Sequence, residues 1–252
     1  MTVPKGPDWS CQSVGGIDVV VFEPSIAAVG NLVILPHFEW PGELAGSQEE
    51  IGTQFAAWFN EFGLRAVIPS PRAWWIDRPA SGYPGRSSSL EFIVNELVPW
   101  VTSRWPGQQL AAMGTDLGGQ GAFQLAYRHP QHFPIAAAIR PAIDFHRLHD
   151  TSSELREWFD SLEQARQETV TLRLHPLNWP PHQWFSCPRG DWRFDGCERL
   201  ASKLTSIGIP FTADLTTPDG PDYDALQMKR GLKFVADRLR EPPVSRDIRI
   251  RR

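Results

Sequence analysis

Short runs of apolar, often β-branched residues alternate along this chain with stretches in which apolar residues recur at helical spacing. The runs predict strands at 17–22, 32–35, 65–68, 109–113, 135–139, 170–174, 183–186 and 211–215. The helical spacing predicts helices at 49–62, 88–105, 119–128, 195–207 and 223–239. Such alternation is typical of βαβ units. We therefore expect an α/β fold with a mostly parallel central sheet and helices on both faces.

Two parts of the chain depart from this rhythm. Residues 144–168 are polar, with a helix predicted from Ser153, and we interpret them as a short helical excursion over the sheet edge. Residues 241–252 contain two prolines, and four of the last seven residues are arginines, a composition typical of an unpacked end. The sequence thus predicts one domain over 1–240, followed by a basic, disordered tail over 241–252.

Composition excludes several classes of function. Lys and Arg total 25 against 29 Asp and Glu in 252 residues, so a net charge of −4 gives no electrostatic basis for nucleic-acid binding. The longest apolar runs are strand-sized and the first residues do not form a secretory leader. Neither a membrane partner nor secretion is expected, and a cytoplasmic location is predicted. The cysteines Cys11, Cys187 and Cys197 lack metal-ligand spacing. They are expected to be reduced thiols, and no metal or cofactor is predicted.

The segment 113–121, Met-Gly-Thr-Asp-Leu-Gly-Gly-Gln-Gly, lies between a predicted strand and a predicted helix. Gly114 and Gly118 stand two positions on either side of Asp116. In a G-x-S-x-G nucleophile elbow the chain turns so sharply that small residues must flank the central one. We therefore predict an elbow with Asp116 at positive φ, a conformation that Asp tolerates better than most residues.

The chain resembles serine esterases of the α/β-hydrolase fold, of the S-formylglutathione hydrolase or esterase D sort. The resemblance covers most of the sequence and is strongest at 114–130, 141–144, 175–180 and 194–210. It implies an α/β-hydrolase fold. It also implies a Ser, an acid and a His at one site, acting on a small apolar or ester-like ligand.

Matched to this family residue by residue, the chain departs at most catalytic positions. The nucleophilic Ser falls on Asp116, the His falls on Pro221, and only the acid, at Asp191, is kept. The oxyanion loop falls near Pro36-His37-Phe38, where proline has no N–H to donate. The resemblance implies His37, Phe38 and Leu117 as oxyanion positions. The composition of the loop 70–88 adds Trp74 and Trp75 as candidate pocket residues, although core packing is the favoured role of such tryptophans.

Three interpretations of Asp116 follow. The preferred one is a binding or interaction protein inactive as an esterase, because losing the nucleophile and the base together is simplest if no acyl-enzyme forms. The alternative resembles haloalkane dehalogenases and epoxide hydrolases, with Asp116 as the nucleophile and His37 as a substitute base. A third would let Asp116, Asp191 and Asp222 or Asp224 hold Mg²⁺ or Ca²⁺, although capping of the last helix is the expected role of the latter two.

Overall fold

A computed structural model describes residues 8–36, 48–71, 73–83 and 85–243. Over these residues the chain forms an eight-stranded sheet in the order β1-β2-β4-β3-β5-β6-β7-β8. The strands are β1 Trp9–Val14, β2 Ile17–Phe22, β3 Gly30–Leu35, β4 Leu64–Pro69, β5 Leu110–Thr115, β6 Ile135–Ile139, β7 His182–Ser186 and β8 Thr212–Asp214. All pairings are parallel except β1 with β2 and β2 with β4. The predicted mostly parallel sheet is confirmed.

Helices cover both faces of the sheet, as the fold class predicted. They are α1 Gln48–Phe62, α2 Ser89–Phe92, α3 Val98–Arg104, α4 Asp116–Arg128, α5 Ser153–Trp158, α6 Leu162–Gln167, α7 Phe194–Ser206 and α8 Tyr223–Leu239. A π-helical turn, Ile93–Leu97, joins α2 to α3. Apolar residues of α1 and α8 pack on one face, whereas those of α2 to α4 and α7 pack on the other. The Ser88 hydroxyl accepts a hydrogen bond from the backbone N–H of Glu91 and so caps α2, as the sequence predicted.

The excursion over the sheet edge extends further than predicted. It contains a 3₁₀ turn at Phe145–Leu148, then α5 and α6, and a second 3₁₀ turn at Val170–Leu172. The hydroxyls of Ser152 and Ser161 cap α5 and α6. Its apolar residues form a small separate core with residues of the elbow region; this core contains Trp74, Ile76, Leu117, Ala142, Phe145, Leu155, Phe159 and Ala165.

Two elements differ from the sequence-based expectation. The strand predicted at 170–174 is wrong, because β6 is already paired on both sides, with β5 and β7, and the segment forms the Val170–Leu172 turn instead. Strand β1 was not predicted, since half of its residues are polar and half are exposed at the sheet edge. No helix of the described residues is long and apolar enough to cross a membrane. Residues 244–252 of the predicted tail lie outside the described part.

Candidate active site at the strand-to-helix elbow

Asp116 occupies the predicted elbow. Its φ is 47°, between the extended residue Thr115 at the end of β5 and the first turn of α4. A Cβ atom on Gly114 would lie less than 3.0 Å from backbone atoms of Gly118, and a Cβ on Gly118 would lie equally close to the backbone oxygen of Leu35. Only glycine fits at either position. The predicted geometry is therefore confirmed, and close packing of α4 against β3 and β5 requires it.

The Asp116 carboxylate is nearly buried, with 11% of its side chain exposed, and is paired with arginine. Its Oδ1 atom lies 3.0 Å from Nη1 of Arg193, the residue that precedes α7. The backbone oxygen of Asp116 accepts a hydrogen bond of 3.0 Å from the N–H of Ala142, which follows β6. Both contacts hold the elbow against the segments that come after β6 and β7.

Asp191, which the resemblance matches to the family acid, lies in the turn after β7 with 5% of its side chain exposed. The guanidinium group of Arg193 binds it through two hydrogen bonds, from Nε to Oδ1 at 2.9 Å and from Nη2 to Oδ2 at 3.1 Å. The backbone N–H of Arg193 adds a third, of 2.8 Å. Burial alone would raise the pKa of Asp191, but these hydrogen bonds, together with one from Arg140, lower it. One guanidinium group thus bridges Asp116 and Asp191.

Arg140, directly after β6, adds a second cation that the sequence analysis missed. It donates from Nη1 to Asp191 Oδ2 at 2.8 Å, from Nη2 to Asp219 Oδ1 at 2.5 Å and from Nε to Asp224 Oδ1 at 2.7 Å. Its guanidinium group also lies 4.4 Å from the ring centroid of Tyr223. Burial lowers the pKa of Arg140, yet the three carboxylates outweigh burial and raise it above its usual range. Arg140 is therefore a permanent cation.

The sheet register explains why these residues meet. Thr115 pairs with Ile139, Ile139 with Ser186, and Ser186 with Asp214, so the carboxyl ends of β5 to β8 are level. Residues that follow level parallel strands come together at one sheet edge. Arg140 follows β6 just as Asp116 follows β5. Its place directly after a predicted strand was therefore the sequence signal that could have found it.

The loop before α8 joins the site through charge. Asp219 binds Arg140, and that contact lowers the pKa of the Asp219 carboxyl. Pro221 is exposed two residues further on, in the turn that leads to Asp222, the N-cap residue of α8. That Pro221 takes the place of a lost His stays a prediction. Capping of the last helix was the role expected of Asp224, but its carboxylate is ion-paired with Arg140.

The predicted pocket residues lie mostly inside the protein. Trp75, with φ of 52°, is fully buried in the main core, and its indole N–H donates to the backbone oxygen of Pro36 at 2.9 Å. Trp75 therefore belongs to the core, and a pocket-lining role for it stays a prediction. Trp74 and Leu117 are buried beneath the excursion, and the indole N–H of Trp74 donates to Glu154 at 2.6 Å. His37 and Phe38 lie outside the described residues.

Chemically, the site brings two guanidinium groups, of Arg140 and Arg193, against four carboxylates. Arginine does not give up its proton at ordinary pH, so it cannot serve as a general base. Within the described part of the chain, no three His, Cys, Asp or Glu residues are arranged to hold a metal ion. Asp191 and Asp224 do converge, but on the guanidinium group of Arg140. Arranged in this way, the carboxylates neutralise arginines.

The fold and the elbow define the class of protein. A sharp strand-to-helix turn with its central residue at positive φ, on a mostly parallel sheet covered by helices, is the elbow of the α/β-hydrolase fold. A family model described as "Putative esterase" matches residues 66–189, a segment that includes the elbow and ends two residues before Asp191. Together these findings give the chain the α/β-hydrolase fold and a central segment that is similar to esterases.

Solved structures give the same fold at low sequence identity. FphF of Staphylococcus aureus, a fluorophosphonate-binding serine hydrolase, is 15% identical with a TM-score of 0.69, over 93% of this chain and 96% of its own. An S-formylglutathione hydrolase from Agrobacterium tumefaciens is 12% identical with a TM-score of 0.67, over 95% and 99%. MPT51 of Mycobacterium tuberculosis is 14% identical with a TM-score of 0.62, over 94% and 100%. No curated protein sequence matches the chain.

Proposed function

We propose that this protein keeps the esterase fold as a binding or interaction protein and does not hydrolyse esters. The observation that carries the proposal is the guanidinium group of Arg193, which lies 3.0 Å from Asp116 and 2.9 Å from Asp191. In a serine esterase, an imidazole stands between the nucleophile and the acid, and it accepts the nucleophile's proton. Here a group that is already fully protonated contacts both positions.

Each requirement of acyl transfer is affected by this arrangement. Asp116 offers a carboxylate where the hydroxyl would attack, and its charge is neutralised by Arg193. Asp191, which would orient an imidazole, has its oxygens bound by Arg193 and Arg140. The network is also largely buried, so solvent screens these ion pairs only weakly. The same contacts that disfavour catalysis join the elbow to the segments that follow β6 and β7.

Covalent labelling with a fluorophosphonate probe tests the proposal, since such probes phosphonylate activated serine hydroxyls. We expect the intact mass of the protein to be unchanged after prolonged incubation, and a known serine esterase serves as the positive control. A label that maps to any serine of the folded protein, and that is absent after heat denaturation, would contradict the proposal.

One observation favours a second candidate function. The elbow directs a carboxylate, that of Asp116, from the position of a nucleophile. In this route an Asp116 oxygen forms a C–O bond to an alkyl halide, and the halide leaves with the electron pair of the broken carbon–halogen bond. The product is an ester on Asp116. The ion pair with Arg193 opposes this chemistry, because it stabilises the carboxylate before attack.

The second candidate is tested by the intact mass after exposure to a panel of alkyl halides and epoxides. We expect no adduct. An added mass that maps to Asp116 and disappears in Asp116→Asn would establish the nucleophilic role instead.

A further inference from the structure

A groove separate from the elbow lies between α7 and the excursion. It encloses about 660 Å³, and its charged lining comes from both sides. Asp195, Arg199 and Lys203 occur at intervals of four residues and form one stripe along α7. Opposite them stand Asp144 and Arg147, from the segment after β6, and Arg166 from α6. The groove thus shares α7 and the segment after β6 with the elbow site, but it is lined by different residues.

The charge of the groove opposes that of the whole protein. Four cations, Arg147, Arg166, Arg199 and Lys203, face two carboxylates, those of Asp144 and Asp195, in a chain of net charge −4. Arg199 is ion-paired with the buried Asp144, and Nη1 of Arg147 lies 3.6 Å from Oδ2 of Asp195. Each of these two ion pairs is neutral, so Arg166 and Lys203 are the cations that no carboxylate of the groove lining balances.

The two excess cations are held in place while keeping donors for a ligand. The ammonium group of Lys203 donates to the backbone oxygen of Thr171 at 2.6 Å, and this neutral acceptor is its only recorded partner among the residues that the structure describes. Arg166 is paired with Glu163 on its own helix, by hydrogen bonds of 2.7 Å from Nε and Nη2. Because Glu163 does not line the groove, this pair weakens the positive potential without filling the space.

His146, which also lines the groove, is affected by the same potential. Its pKa is lowered first by burial and then by the charges of Arg166 and Arg147, against a smaller opposing effect of Glu163. We propose that this groove binds a small polyanion, a molecule carrying at least two phosphate or carboxylate groups. Guanidinium and ammonium donors at fixed positions recognise such groups through charge-assisted hydrogen bonds. The proposal holds whether or not the elbow hydrolyses esters.

Isothermal titration calorimetry with pyrophosphate, citrate and acetate tests the groove. We expect pyrophosphate or citrate to bind, with affinity that falls as NaCl is raised, and acetate to give no measurable binding. A preference between the first two identifies phosphate or carboxylate as the recognised group.

Three variants and one control locate the binding. Lys203→Gln and Arg166→Gln each remove a donor and should weaken binding about tenfold. Glu163→Gln frees Arg166 and should strengthen binding severalfold. Lys233→Gln removes an exposed cation of α8 that is paired with Asp237, and should leave affinity unchanged.

The proposal is overturned if none of the three anions binds the folded protein at millimolar concentration. It is also overturned if binding is the same in the Lys203→Gln and Arg166→Gln variants as in the parent protein. The ester and labelling assays report on the elbow alone, so failure at one site is distinguishable from failure at the other.

Discussion

Close contacts between backbone atoms determine the geometry of the elbow. Charged side chains instead determine the geometry at the carboxyl ends of β6 and β7. Gly114 and Gly118 lie so close to neighbouring backbone that no side chain fits. Arg140 and Arg193 are instead held by carboxylates, chiefly Asp191, which binds both. The elbow is therefore a requirement of folding, and it persists whatever chemistry its central residue can perform. Evidence about activity comes from the side chains that contact Asp116.

The largest expected loss of stability comes from a substitution in the charge centre, the cluster of Arg140 and Arg193 with their carboxylate partners. Arg140→Ala leaves Asp191, Asp219 and Asp224 without their shared cation, and removing one partner of a buried ion pair costs about 4 kcal/mol. Urea unfolding followed by tryptophan fluorescence measures the change. Lys233→Ala, which breaks an exposed pair with Asp237, should cost less than about 0.5 kcal/mol. Equal costs for the two variants would show that the charge centre does not hold the structure.

A somewhat smaller loss is expected when the elbow is crowded. In Gly118→Ala the new methyl group collides with the backbone oxygen of Leu35, and overpacking of this kind costs about 3 kcal/mol. Gly220→Ala is the matched control, since nothing lies within 4 Å of the added atom, and its stability should change by less than about 1 kcal/mol. Both are measured by the same unfolding experiment. A Gly118→Ala variant as stable as the control would refute the close approach at the elbow.

Acid should lower the stability of the protein by protonating carboxylates of the charge centre. The pKa values of Asp191 and Asp219 are lowered in the folded protein, so their stabilising effect is complete above the unfolded value of about 3.9 and is lost as pH falls through the folded values. The free energy of unfolding should thus decline below about pH 4. Asp191→Asn should have a smaller decline over the same range. A decline that is steeper in this variant would contradict the assigned ion pairs.

Much of the fold was predictable from the sequence, because strand and helix periodicity and the glycine pattern at 114–118 are local signals. Arg193 was harder to find, since its link to Asp116 depends on how the turn after β7 enters α7. Trp75 combines a positive φ with full burial, and no local sequence pattern indicates either property. Long-range strand pairing also determined the structure of segment 170–174. Its alternating apolar residues predicted a strand, but β6 is already paired with β5 and β7.

The smallest expected effect is a gain of esterase activity. The double substitution Asp116→Ser with Pro221→His supplies a hydroxyl and an imidazole, but Arg193 still binds Asp191. We expect the double variant to stay near the background rate, and the triple variant with Arg193→Ala to exceed it about tenfold. Circular dichroism confirms that each variant is folded. Activity in the double variant that the third substitution abolishes would mean that Arg193 supports the chemistry.

Steady-state release of p-nitrophenol from p-nitrophenyl acetate tests the central claim most directly: that the ion pair of Arg193 with Asp116 and Asp191 has replaced a catalytic triad. The parent protein and Asp116→Ala are compared with a heat-denatured sample at neutral pH. The account predicts the same background rate for all three, because no hydroxyl nucleophile stands at the elbow and Arg193 cannot accept a proton. Turnover by the parent protein that disappears in Asp116→Ala would contradict it.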